Sequence, residues 1–111
     1  MDGTQALQAL SALAQGTRLD VFRLLVNAGP EGLCAGEIAA KLGVRQNTMS
    51  TNLAVLARAG LVRSEREGRS VRYAADMEGM RGLLGFLMQD CCGGRPERCR
   101  PVLDAIARAC C

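Results

Sequence analysis

The chain has 111 residues, 49% of them hydrophobic and 23% charged, which suits one packed domain and excludes a highly charged disordered tail. His is absent, which excludes imidazole catalysis and the zinc sites whose nitrogen ligands are imidazoles. The formal charge is +3, with one Lys and thirteen Arg on the basic side, a balance that permits nucleic-acid binding without requiring it.

At the N-terminus, Met1-Asp2-Gly3-Thr4 has no basic region and no apolar run behind it, so no signal peptide is expected. No run resembles a membrane span. A reducing cytosol is the expected compartment, and the six Cys then read as ligands, sensors or core residues rather than structural disulfides. From Ala6 to Ala14, Leu7, Leu10, Leu13 and Ala14 form an apolar stripe at helical spacing, interrupted by Gly16. A second helix from about Thr17 carries Leu19, Phe22, Leu25 and Val26 and stops at Asn27-Ala28-Gly29-Pro30. A short third helix runs from about Cys34 to Leu42 and closes at Gly43. A fourth runs from about Gln46 to Ala59, with Met49, Leu53 and Leu56 inward and Gly60 at its end.

Leu61 to Tyr73 then reads as two short strands around a Glu67-Gly68 turn. Asp76 is a suitable N-cap for a fifth helix that carries Met77, Met80, Leu84 and Leu87 and ends near Asp90. Gly93, Gly94 and Pro96 make a loop, and a last helix covers roughly Pro101 to Ala109. The class is mainly α with a small β-hairpin. The order is that of a winged helix-turn-helix.

The outer face of the fourth helix carries Gln46, Asn47, Thr48, Ser50, Thr51 and Asn52. These short side chains both donate and accept hydrogen bonds, as base edges in the major groove require. A plain solvated face would more often carry long charged side chains, and the first half of this helix has none after Arg45. In the hairpin, Arg66 and Arg69 flank the turn, where a wing meets phosphates or the minor groove. The same charges also discourage edge pairing, and the two readings are compatible.

The segments TRLDVFRLL, GEIAAKLGVRQNTMSTNLAVLARAGLV and EREGRSVRYAA resemble the ArsR family, also called ArsR/SmtB, of bacterial metal-sensing repressors. The resemblance covers roughly Leu7 to Met88. It implies a homodimeric winged-helix repressor that binds double-stranded operator DNA at an imperfect inverted repeat and leaves it on binding an inducer. It places Gln46, Asn47, Thr48, Ser50, Thr51 and Asn52 on the recognition helix and Arg66 and Arg69 on the wing. Arg45 is counted with these DNA-binding residues; family members often have Ser at this position, and Arg cannot accept a backbone hydrogen bond as an N-cap. A dimer interface is expected from the first and fifth helices, where Gly79, Gly82 and Gly85 recur every third residue and would allow close helix approach. Residues 1–90 then form the DNA-binding and dimerisation domain, and residues 91–111 a Cys-rich inducer-binding segment of the same domain.

The family's His-containing zinc site is excluded here, and its Cys-x-Cys site at the third helix keeps Cys34 but has Gly36 in the second position. Cys34 alone reads as a small buried or capping residue. Cys91, Cys92 and Cys99 remain, three thiols in DCCGGRPERC. Soft thiolates select thiophilic ions, and three of them neutralise trivalent arsenic (arsenite) or antimony (antimonite), which makes burial cheap. Arg95, Arg98 and Arg100 favour the thiolate. Some arsenite-responsive family members carry such a triad near the end of the fifth helix. Cys110 and Cys111 are weaker candidates, Pb(II) and Cd(II) are alternative ions, and no organic cofactor is expected.

Two other readings use the same cysteines. A redox or persulfide switch needs a pair, and adjacent Cα atoms about 3.8 Å apart make Cys91–Cys92 a poor disulfide, which leaves Cys91–Cys99 or Cys92–Cys99. A catalytic reading takes Cys92 to Arg98 as the Cys-x5-Arg loop of thiol phosphatases and some arsenate reductases. That loop normally follows a strand and ends in Ser or Thr, whereas a helix precedes this one and Cys99 follows it.

Overall fold

The Asp2 carboxylate accepts the Gln5 N–H at 2.8 Å while the Gln5 side chain accepts the Asp2 N–H at 2.8 Å. This reciprocal capping box opens α1, Gly3–Leu13. The computed structural model describes residues 1–89 and 95–110. After α1 come α2 (Gly16–Ala28), β1 (Leu33–Cys34), α3 (Ala35–Leu42), α4 (Gln46–Arg58), β2 (Val62–Glu67), β3 (Ser70–Ala75) and α5 (Met77–Leu87). A 3-10 turn at Pro96–Arg98 leads into α6, Arg100–Cys110. The strands form one antiparallel sheet in the order β1-β3-β2. No helix among the described residues is long and apolar enough to cross a membrane.

The core lies where α2, α3 and α4 meet the base of the hairpin. Val21, Leu25, Ile38, Met49, Leu53, Leu56 and Leu61 are fully buried there. Burying each such side chain is worth about 1.5–3 kcal/mol. Asp76 caps α5 as expected, accepting the Glu78 and Gly79 N–H groups. The hairpin turn is one residue later than expected. Glu67 pairs with Ser70, so Gly68 and Arg69 form the tip, with Gly68 at φ +61°. β1 was not anticipated; its two residues pair with Tyr73 and Arg72.

The expected apolar stripes are partly misassigned. In α1 the alanines Ala6, Ala9 and Ala12 face inward, and Leu7 and Leu10 are 69% and 40% exposed. Small side chains let α1 approach α2, α4 and α5 closely. Leu19 and Val26 of α2 are exposed, and Val21 is buried instead. In α5, Leu83 is buried, while Met77, Leu84 and Leu87 face outward and Met80 is half-buried. The described helix ends at Leu87. α1 and α5 touch, and between them they present Leu7, Leu10, Leu84, Phe86 and Leu87 as exposed apolar side chains.

Gly79, the first glycine of the α5 series, has a use within one subunit. A Cβ at Gly79 would collide with the backbone carbonyl of Gly60, so this residue lets α5 lie against the end of α4 within one subunit. Gly82 faces Met1, and Gly85 meets nothing within 4 Å. Gly79→Ala should therefore destabilise by about 1–3 kcal/mol through overpacking, although alanine is the better helix former by about 1 kcal/mol. Gly85→Ala should stabilise. Chemical denaturation of the two variants checks the contrast.

Candidate nucleic-acid interface

α3 and α4 make the helix-turn-helix. Cys34 occupies the N-cap of α3, where its N–H donates to the Glu37 carboxylate at 2.9 Å, and that bond holds the Glu37 carboxyl below its usual range. At the far end Gly43 adopts the left-handed conformation, φ +64°, which reverses the chain toward α4 at low steric cost. Arg45 is the N-cap of α4 and makes no side-chain cap bond, as its chemistry dictates. Asn47 Oδ1 accepts the Thr48 N–H at 2.8 Å and partly fills that role.

Gln46, Asn47, Thr48, Ser50 and Thr51 are exposed together on α4. Their hydrogen bonds already divide the face. Ser50 Oγ donates to the Gln46 carbonyl at 3.1 Å, and Thr51 Oγ1 donates to the Asn47 carbonyl at 3.2 Å. Both hydroxyls thus keep only lone pairs for a ligand, which suits amino groups such as adenine N6 or cytosine N4. Asn47, whose oxygen is engaged, keeps its two amide donors.

Asn52 does not belong to this face. It is 7% exposed, and its Oδ1 accepts a hydrogen bond from Arg18 Nη1 at 3.3 Å. The spacing Met49, Asn52, Leu53, Leu56 is the i, i+3, i+4, i+7 pattern of an inner stripe. That signal was available in the sequence and was outweighed by side-chain polarity. Arg18 itself, unmarked by sequence, also donates from Nε to the Ala12 carbonyl at 2.7 Å.

The wing stands beside α4. Glu65 pairs across the strands with Arg72, whose guanidinium donates to the Glu31 and Gly32 carbonyls at 3.0 and 3.2 Å. Arg72 is thereby committed to holding the hairpin base. Arg66 and Arg69 are exposed. A groove of about 390 Å³ separates wing from α4, lined by Gln46 and Ser50 on one side and Arg69, Ser70 and Val71 on the other. Cys34 also lines it, half-buried, with Sγ 3.8 Å from Arg72 Nη1.

Cys91, Cys92 and Cys111 lie outside the described residues, as does the side chain of Cys110. Cys99 is described. It is half-buried and disulfide-bonded, and its carbonyl accepts the Val102 and Leu103 N–H groups, each at 3.1 Å, at the start of α6. Arg95, Arg98 and Arg100 around it are exposed. Among the described residues no group of three His, Cys, Asp or Glu side chains is arranged to hold a metal ion.

Known proteins share this architecture. A family model described as a helix-turn-helix domain matches residues 13–65. An uncharacterised HTH-type transcriptional regulator, YbzH of Bacillus subtilis, is 30% identical over 75% of this chain and 95% of its own length. The "Putative arsenical resistance operon repressor ArsR2" of Halobacterium salinarum is 40% identical over 73% of this chain and 66% of its own. The homodimeric winged helix-turn-helix DNA-binding domain of Mb0332 from Mycobacterium bovis superimposes with a TM-score of 0.64 at 29% identity, covering 78% of this chain and 81% of that one. With a helix-turn-helix, a Gly-tipped wing and these relatives, the chain belongs to the ArsR (ArsR/SmtB) family of winged-helix, DNA-binding transcriptional repressors and is not an enzyme.

Proposed function

We propose that the protein is a homodimeric repressor that holds an imperfect inverted repeat and releases it when trivalent arsenic or antimony binds Cys91, Cys92 and Cys99. The observation that carries the inducer assignment is the setting of Cys99. It sits at the N-terminal end of α6 among exposed arginines, where reduction of its disulfide would free the sulfur as a soft donor. Cys91 and Cys92 supply two further soft donors close in sequence. The arsenical-resistance name of one relative agrees with that choice. Capture is an exchange without net oxidation. Three S–H bonds and three As–O bonds of arsenous acid give way to three As–S bonds and three waters.

The dimer is supported by the exposed apolar side chains of α1 and α5 and by the homodimeric relative. Two α4 helices related by a two-fold axis would enter successive major grooves, so half-site spacing becomes a geometric requirement. Metalloid binding after α5 would alter the helix that carries the dimer face, and with it that spacing. In a second reading the same cluster senses oxidants; the disulfide at Cys99 favours it.

Counting thiols tests the inducer site. In fully reduced protein, arsenite should protect three thiols per subunit from alkylation, and protection of two or fewer would contradict the triad. The DNA half has its own test. Arg66→Ala and Arg69→Ala should weaken binding to all sequences alike and each reduce the slope of log K against log salt by about 1. Asn47→Ala or Thr51→Ala should instead change sequence preference, at about 1–3 kcal/mol per contacted base pair. Binding isotherms on operator and scrambled duplexes separate the two classes.

A further inference from the structure

We infer that Arg18 is a positioning residue for DNA recognition, a fork that fixes the angle of α4 against α1. One guanidinium reaches two elements. Its Nε donates to the Ala12 carbonyl at 2.7 Å, and its Nη1 donates to Asn52 Oδ1 at 3.3 Å. The Ala12 carbonyl lies in the last turn of α1, where carbonyls have no helical partner and the helix end is negative. Asn52 lies at mid-length of α4, between Met49 and Leu53 on its inner stripe. No other side-chain hydrogen bond among the described residues ties α1 to α4 through a single group.

The packing around the fork is apolar, and apolar contacts resist sliding weakly because they have little direction. A planar, bidentate donor adds direction. Asn52 therefore serves the DNA-reading helix from behind, opposite the side chains that face the groove. The inference rests on the reading of α1 as a dimer helix: an angle set against α1 is then an angle set against the two-fold axis, and so against half-site spacing.

The test compares operator with scrambled duplex for the full-length protein without inducer, with sedimentation recorded beside it. Asn52→Ala should lower operator affinity about tenfold and leave scrambled-duplex affinity and the dimer unchanged. Arg18→Lys should do the same, since a single ammonium head cannot match the planar fork. Asn52→Asp, which keeps the acceptor, should retain the wild-type ratio of the two affinities. The double variant Arg18→Lys/Asn52→Ala should lose no more than either alone. Additive losses, equal losses on both duplexes, or an Asn52→Asp variant no better than Asn52→Ala would overturn the proposal. A wild-type protein that sediments as a monomer would overturn the dimer reading instead. If Arg18→Lys fails to fold, the Asn52→Asp and Asn52→Ala pair still decides, because both keep Arg18.

Discussion

Replacing Cys91, Cys92 or Cys99 singly by Ser should leave a protein that grips its operator as the wild type does and no longer lets go in arsenite. The two properties separate because the cysteines follow α5 in the sequence, while the proposed DNA contacts lie on α4 and the wing. Serine keeps the volume and removes the soft donor, so a two-thiolate remnant keeps one hydroxide on arsenic. That species stays neutral, but it lacks the third soft bond and leaves a polar hydroxyl whose burial is costly without a partner. Coupling between sites is typically about 1–3 kcal/mol, so inducer should shift operator affinity roughly 5- to 150-fold in the wild type. In each variant that ratio should fall to near unity. Cys34→Ser should keep it, since Cys34 lies in the α4–wing groove on another element. Undiminished response in all three triad variants would sink the assignment.

The second large effect concerns a residue on α1, outside both α4 and the wing. Leu7 is 69% exposed on α1, so Leu7→Glu costs the isolated subunit almost nothing in packing. In a dimer that covers this face, two such carboxylates would be desolvated beside apolar side chains, and the subunits should separate. Loss of the second half-site contact then removes the gain of linked binding, commonly 10²- to 10⁴-fold. Thermal melting should stay close to that of a concentration-independent monomer, while sedimentation and operator affinity collapse together. Retained dimerisation would show that another surface joins the subunits.

Much of this architecture was legible in the sequence, for identifiable reasons. Gly43 and Gly60 mark the ends of α3 and α4, and Asp76 marks the start of α5 because its carboxylate has two N–H groups to satisfy. The hairpin shows because Gly68 supplies the positive φ a two-residue turn requires. Stripe direction was harder. In α1, Ala and Leu both count as apolar, and only the closeness of α2, α4 and α5 decides that Ala6, Ala9 and Ala12 turn inward. β1 has two residues, too few for any period.

The candidate site shows the same division. The polar face of α4 follows from residue type and spacing, but Asn52 needs its partner to be understood, and Arg18 lies thirty-four positions away. Polarity argued for solvent, periodicity for the interior, and the hydrogen bond to a guanidinium reconciled them. Cys99 illustrates a different gap. Its neighbours in sequence suggest a soft site and a nearby helix start, whereas its disulfide is a tertiary fact.

The most direct measurement is fluorescence anisotropy of the reduced protein on a duplex from its own upstream region, with arsenite and peroxide titrated into separate samples. Release by arsenite at unchanged thiol redox state is the predicted result. Tight binding that arsenite leaves intact, with release by peroxide alone, would contradict the metalloid assignment and transfer the cysteines to oxidant sensing.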